Sequence, residues 1–117
     1  MPSSSLYIIS KEPQAGSLFI AIGLMEILKR QYKRVAIFKP IVLHKIDEDI
    51  KTLLDIFSLD QSLESACGIT LKKAEELLVY EEAKLYENLI TQFESLCKSY
   101  DFVLCLGFSD GNKKRRH

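Results

Sequence analysis

Residues 6–41 have the sequence LYIISKEPQAGSLFIAIGLMEILKRQYKRVAIFKPI. The segment opens with a short run of β-branched and aromatic residues, which predicts a strand at residues 6–9. From Ala15, apolar residues recur at helical spacing, and basic residues follow where they suit the end of a helix. Residues 35–38 form a continuous apolar run, which is typical of a strand covered on both faces. The segment therefore predicts a right-handed parallel β-α-β unit of the phosphate-binding type.

The loop before the predicted helix has lost the side chains of a working phosphate site. Such a loop holds phosphate with backbone N–H groups and a helix N-terminus, and it adds a lysine for the outer phosphates and a hydroxyl for magnesium. Here Gly16 can supply the close backbone approach, but Ser17 occupies the lysine position and Leu18 the hydroxyl position. We therefore expect no hydrolysis of magnesium-bound ATP and no catalytic residue in this chain.

A weaker anion site is still a hypothesis at the same place. A bare helix N-terminus favours anions by up to ~1 kcal/mol. Lys39 follows the second predicted strand, at the edge where α/β sheets gather ligands, and it either faces that crevice or is solvated. Lys11 either folds back over the loop or is a solvated loop residue. The candidate anion-binding residues are Gly16, Ser17, Lys11 and Lys39.

The remaining segments predict further helices and one more strand. Residues 47–57 have an amphipathic helical pattern, with acidic residues at the start and apolar residues on one stripe. Thr70 is suited to cap a helix at residues 71–78, and a long helix is predicted at residues 80–100. Residues 59–68 have too little pattern for any element. An apolar run at residues 102–106, stopped by Gly107, predicts the third strand and an α/β fold built on a parallel sheet.

Composition indicates a single globular unit. The chain has 117 residues, 47% of them hydrophobic and 27% charged, as in soluble single domains. Residues 1–112 are expected to form that domain and residues 113–117 a disordered basic tail. The tail holds four of the sixteen basic residues, so the domain carries a net charge of −4. We therefore expect no nucleic-acid partner.

Other features of the sequence bear on membrane association, cellular compartment and metal binding. The longest apolar run, residues 18–28, is shorter than the ~20 residues of a membrane span, so no membrane partner is expected. The start of the chain lacks a basic signal-peptide region. Three widely spaced cysteines form no disulfide framework, which favours a reducing cytoplasm. Neither His44 nor His117 belongs to a plausible metal set, and we expect no metal site.

The order and spacing of these pieces resemble a known domain over residues 6–107. The matching pieces are the loop ending in Gly16, VAIFKPI at residues 35–41, GITL at 68–71, AEELL at 74–78, and YDFVL at 100–104 before Gly107. Together they look like the N-terminal domain of long bacterial phosphate acetyltransferases. That domain is similar to dethiobiotin synthetase and belongs to the P-loop superfamily.

The resemblance implies a fold and a set of roles. It implies a three-layer α/β domain in which the three predicted strands have the order 2-3-1. Lys39 matches the lysine that contacts substrate in dethiobiotin synthetase, and Ser17 suits the acetyltransferase branch, which often lacks the loop lysine. The family's third strand ends in Glu-Gly, whereas this chain has Leu106 before Gly107. The separate catalytic domain of the acetyltransferases has no counterpart here, so the chain alone should be inactive and hold no cofactor.

A domain that ends after its third strand would leave the first strand at the edge of the sheet. In the family that strand is central and paired on both sides. At an edge its backbone N–H and C=O groups on one side would be unpaired, and a second copy of the chain could pair with them. The alternative is that the basic tail or a loop shields the edge. The strand residues predicted to form a homodimer are Leu6, Tyr7, Ile8 and Ile9.

Two functional hypotheses follow from the residues and the resemblance. The first is a noncatalytic regulatory or assembly piece of a truncated phosphate acetyltransferase, which acts through contact with its own copy or with a catalytic acetyltransferase chain. The second is a small nucleotide-binding protein or ATPase of the dethiobiotin synthetase type. Ser17, Leu18 and Leu106 disfavour the second hypothesis.

Overall fold

The computed structural model describes residues 4–10 and 15–108. Within them the chain alternates strands and helices, which confirms the predicted α/β class. The elements are β1 (Ser4–Ser10), α1 (Ala15–Gln31), β2 (Val35–Val42), α2 (Glu48–Ile56), α3 (Leu63–Ala66), β3 (Cys67–Thr70), α4 (Leu71–Tyr80), α5 (Glu82–Ser99) and β4 (Phe102–Phe108). Lys11 and the predicted basic tail lie outside the described residues.

The sheet is parallel throughout and has the order β1-β4-β2-β3. The three predicted strands correspond to β1, β2 and β4, and their predicted relative order is confirmed. The prediction of three strands was wrong by one, because residues 67–70 form β3 outside β2. This strand has only four residues, and Gly68 interrupts its apolar character, so no alternating pattern marks it in the sequence.

Strand β2 changes its partner halfway along its length. Its residues Val35 to Phe38 pair with β4, whereas Lys39, Ile41 and Val42 pair with β3. Lys39 and Pro40 therefore lie within the strand, and the prediction that Lys39 follows the strand was wrong. Pro40 has no N–H to donate, and it lies beyond the last β2 residue that pairs with β4.

A glutamine completes the backbone hydrogen bonding of β2 where β3 has not yet begun. Gln61 is buried. Its Oε1 accepts from the Ile37 backbone N–H at 2.9 Å, and its Nε2 donates to the Ile37 carbonyl at 2.7 Å. A buried backbone N–H or C=O is costly without a partner, so this side-chain amide substitutes for a neighbouring strand.

Helices cover both faces of the sheet. One face of β2 and β4 packs against α1 and α2, where the fully buried residues include Met25, Ile50 and Leu53. The other face packs against α5 through Leu96, and α4 joins α5 in a smaller cluster beside β3. The three-layer arrangement is therefore confirmed.

The predicted helices are present with small changes in their bounds. Asp47 is the N-cap of α2 and not its first residue, and Thr70 caps α4 through its hydroxyl, as predicted, with Oγ1 3.3 Å from the Lys73 backbone nitrogen. Strand β4 continues through Gly107 to Phe108 and does not stop at the glycine.

The first helix is buried on one flank only. Phe19 is 71% exposed and Ile20 is also exposed. Apolar residues surround this half of α1, but the described chain covers only the side that faces the sheet.

Candidate functional site

The predicted anion site lies near the carboxyl end of β1 and β2. Gly16 and Ser17 are the second and third residues of α1. Lys39 lies two residues after Ile37 in β2, so both residues face the same side of the sheet. Ile37 belongs to the cluster that includes α1. Lys39 therefore faces the α1 side, and ligand contacts by Gly16, Ser17 and Lys39 remain a prediction.

Lys39 is held by the residue that caps α2. Its Nζ lies 2.8 Å from Asp47 Oδ2, and the two side chains are only 15% and 11% exposed. The other carboxylate oxygen, Oδ1, accepts from the backbone N–H of Ile50 in the first turn of α2. A single carboxylate thus links β2 to α2 and neutralises the lysine at the predicted site.

Cys67, at the start of β3, adds a thiol to this ion pair. Burial raises the pKa of Cys67 above its ordinary value, and the Asp47 carboxylate raises it further. A hydrogen bond from the Asp47 backbone and the charge of Lys39 oppose these effects in part. The thiol therefore stays protonated at neutral pH and is a poor nucleophile, which suits a packing role.

Leu106 occupies the place where the resemblance implies a carboxylate. Phe38 of β2 pairs with Cys105 of β4, so Lys39 and Leu106 each lie one residue beyond the last pair of these strands. Leu106 packs against the cluster on the α1 side. An apolar side chain therefore faces the region in which a nucleotide hydrolase would hold magnesium, and it offers no ligand for a cation.

Two open cavities border this edge of the sheet. One, of about 210 Å³, is lined by residues that include Lys39, His44, Asp47 and Glu48. The other, of about 630 Å³, lies beside β3, and its polar lining is Lys45, Glu64, Thr70 and Lys73. Both cavities have mixed charge, and neither is enclosed as a typical small-molecule site is.

Sequence reasoning did not associate Asp47 or Cys67 with Lys39. The acidic start of the second predicted helix was visible, and an aspartate there is a common N-cap. The pairing of Asp47 with Lys39 depends on the path of the loop between β2 and α2. A local sequence pattern does not encode this path. Cys67 is one of the three cysteines that form no disulfide framework, and it is buried.

A different charged cluster lies at the amino end of β2 and β4, away from the predicted site. The Arg34 guanidinium lies 4.6 Å from the centre of the Tyr100 ring, and it is 3.1 Å from Asp60 Oδ2. Asp101 accepts from the Arg34 backbone N–H. Each group has a partner within the cluster, which joins the beginnings of two strands.

Strand β1 lies at one edge of the sheet and pairs only with β4 among the described strands. Leu6 and Tyr7 are both exposed at this edge. Tyr7 pairs in register with Cys105, and its hydroxyl lies so close to Gly107 that a Cβ at that glycine would overlap it.

Residues 4–10 and 15–108 contain no group of three His, Cys, Asp or Glu side chains that could hold a metal ion. In the same part of the chain, no helix has the length and apolar character needed to cross a membrane.

The sequence was compared with those of known proteins. The chain is similar to phosphate acetyltransferases. It is 34% identical over 110 residues to the phosphate acetyltransferase of Nitratidesulfovibrio vulgaris strain Hildenborough. It is 24% identical over 110 residues to the phosphate acetyltransferase of Synechocystis sp. strain PCC 6803.

Each match covers 90% of this chain but only 16% of the relative's length. The chain therefore corresponds to a short part of these enzymes. No family model matches the sequence, and no solved structure matches it. The expected resemblance to phosphate acetyltransferases is thus confirmed at the level of similarity, while the likeness to dethiobiotin synthetase and the P-loop superfamily stays a prediction.

Proposed function

We propose that this chain is a noncatalytic regulatory or assembly unit of a phosphate acetyltransferase and acts through protein–protein contact. Its first partner is a second copy of itself, paired through β1. The observation that carries the proposal is the position of β1 at the edge of a parallel sheet, with Leu6 and Tyr7 exposed. A catalytic acetyltransferase chain is the second partner that we propose.

The position of β1 at the edge of the described sheet supports an assembly role, because an edge strand offers a row of unpaired N–H and C=O groups. Helices cover both faces of a parallel sheet, so an edge strand is the part of such a sheet that stays open to another chain. Two copies related by a two-fold axis would pair their β1 strands antiparallel and form one continuous sheet of eight strands.

The chemistry around Lys39 supports a noncatalytic role. Ser17 and Leu18 replace the lysine and the hydroxyl of a working phosphate loop, and Leu106 packs into the core at the acidic position. Lys39 is paired with Asp47. Binding of magnesium-bound ATP would have to overcome all of these features.

Light scattering on the purified chain tests the self-association. We expect a dimer at micromolar concentration. A strict monomer under those conditions would remove the basis of the proposed homodimer.

Calorimetric titration separates this proposal from the hypothesis of a nucleotide-binding enzyme. We expect no tight binding of ATP or ADP with magnesium, and no acetyl transfer between acetyl phosphate and coenzyme A by the chain alone. The same titration is carried out with NADH, acetyl phosphate and coenzyme A. Tight magnesium-dependent binding of ATP would favour the dethiobiotin synthetase type instead.

An affinity experiment tests the second partner. The tagged chain is mixed with a purified catalytic phosphate acetyltransferase, and we expect the two to elute together. The Leu6→Lys variant is the matched control for a contact through the β1 edge. Separate elution of the wild-type chain and the enzyme would exclude this partner.

A further inference from the structure

We propose that the chain binds a small organic phosphate, meaning a phosphate group that carries a short apolar group, in the open cavity beside β3 that Lys45 and Lys73 line. This site is separate from the predicted anion site at Gly16 and Lys39. It goes beyond the proposed assembly role and does not depend on pairing through β1, because all of its residues belong to one copy of the chain.

The cavity lies where two adjacent strands end and the chain leaves them in different directions. Val42 and Thr70 are the last residues of β2 and β3, and they pair in register. After β2 the chain leads to α2, which packs in the cluster of α1. After β3 it leads to α4, which packs with α5. A crevice at the carboxyl ends of strands whose connections diverge in this way is the usual position of ligands in α/β proteins.

The cavity has room for a small ligand and a local excess of positive charge. Its volume is about 630 Å³, within the roughly 300–1,000 Å³ of ligand pockets. Two basic residues, Lys45 and Lys73, line it with one acidic residue, Glu64. The domain as a whole has a net charge of −4. A cavity with more positive than negative side chains is therefore a local exception that attracts anions.

Neighbouring residues do not neutralise the two lysines of the cavity. Within the described residues, no ion pair joins Glu64 to Lys45 or Lys73. Lys73 Nζ is 3.9 Å from Glu76 Oε1, but both of these side chains are more than half exposed, and such a surface pair contributes little. The positive charges of this cavity can therefore act on a ligand.

The other lining residues indicate which anion fits. A phosphate monoester has a charge of about −1.5 to −2 at neutral pH and three strong acceptor oxygens, so one phosphate can accept from both lysines and from the Thr70 hydroxyl. Val42 and Ile69 add apolar surface to the lining, which suits a short hydrocarbon group on the phosphate. The Glu64 carboxylate disfavours a second negative group on the ligand.

Titration with propyl phosphate, followed by NMR of the backbone amides, tests the site. The amide signals of Gly68, Ile69 and Thr70 should shift with a dissociation constant in the millimolar range, since the cavity is open and its charges are exposed. Inorganic phosphate should bind more weakly, because it has no apolar group to contact Val42 and Ile69. Sodium chloride at the same ionic strength is the control. The same shifts with chloride as with propyl phosphate would overturn the proposal.

Substitutions that each change one charge test where the anion lies. Lys45→Gln and Lys73→Gln should each raise the dissociation constant of propyl phosphate about fivefold, as expected for one exposed charge pair. Glu64→Gln should lower it about twofold, because a repulsive charge is removed. The matched control is Lys72→Gln. Lys72 is next to Lys73 in the first turn of α4 but does not line the cavity, so its loss should change the dissociation constant less than about twofold.

The variants should remain folded, because a cation near the start of a helix opposes the helix dipole and its removal from α4 costs no stability. Equal effects of Lys72→Gln and Lys73→Gln would show that the anion responds only to the overall charge, and would overturn the site. Weaker binding to Glu64→Gln than to the wild type would overturn it as well. Binding by a monomeric wild type would support the site even if the proposed homodimer fails, so the two proposals can fail separately.

Discussion

Lys39 Nζ and Asp47 Oδ2 are 2.8 Å apart in a setting where both side chains are almost buried. The pair joins β2 to α2 at the edge of the sheet where the ligand site is predicted. Asp47 also caps α2 through its other oxygen. The lysine that resemblance assigns to substrate binding therefore contributes to the stability of the domain.

Asp47→Asn should lower the free energy of unfolding by about 1.5–3 kcal/mol, because the amide can still cap α2 but cannot pair with the lysine charge. Asp47→Ala should cost about 1 kcal/mol more, since the cap is also lost. Urea unfolding monitored by circular dichroism measures both values. The exposed Asp55→Asn in α2 is the control and should change stability by less than about 0.5 kcal/mol. Equal effects of Asp47→Asn and Asp55→Asn would show that the ion pair contributes nothing.

Gln61→Leu should be among the most damaging single substitutions in the domain. It would leave both the N–H and the C=O of Ile37 without the amide that now satisfies them, and each unsatisfied buried group costs about 1–3 kcal/mol. Thermal unfolding should show a large drop in the midpoint temperature. Gln31→Leu, at the exposed end of α1, is the matched control and should leave the midpoint nearly unchanged. A small effect of Gln61→Leu would mean that water or a shifted β3 can replace the amide.

Gly68→Ala and Gly23→Ala should have opposite effects on the stability of the monomer. A Cβ at Gly68 would overlap the Pro40 carbonyl, so β3 must move away from β2 at a cost of about 1–3 kcal/mol. Gly23 is in a helix and faces open space, so alanine there should stabilise by about 0.5–1 kcal/mol. Unfolding is measured at a concentration low enough to exclude the dimer. Stabilisation by both substitutions would contradict the close contact of β2 and β3.

Cys105 should make the domain less stable in alkali. Burial, and to a lesser extent the neighbouring Cys97, raises the pKa of Cys105 from 9.0 to about 11. The pKa of Cys105 is higher in the folded state than in the unfolded state. The stability that its protonated thiol contributes is therefore fully present below pH 9 and is lost as the pH rises towards 11. We expect a loss of about 1–2 kcal/mol over that interval.

The Cys105→Ala variant isolates this contribution. Its packing cost is measured at pH 7, and its stability should then fall less steeply than that of the wild type between pH 9 and pH 11. Burial also raises the pKa of Tyr7, Cys67 and Tyr100, so only the difference between the two proteins reports on Cys105. Parallel curves for the two proteins would contradict the raised pKa.

Parts of the fold with regular periodicity were predictable from local sequence. The β-α-β unit, the stripe of α2 and the cap at Thr70 each depend on residues within one or two turns of each other. The candidate site was less predictable. Its lysine was identified from its position after a buried run, but the partner that neutralises it was not.

The sequence by itself determined the α/β class, the parallel crossover and the absence of a Gly-Lys-Ser/Thr motif at residues 16–18, because these follow from residue types at short spacing. Only the tertiary structure decided that residues 67–70 form a strand, that Gln61 bonds to Ile37 across 24 positions, and that Asp47 neutralises Lys39. It also decided that no element within residues 4–10 and 15–108 covers the outer flank of α1. The physical reason is that a buried polar group must find a partner wherever the chain brings one close, and that burial of a helix face depends on which elements pack against it.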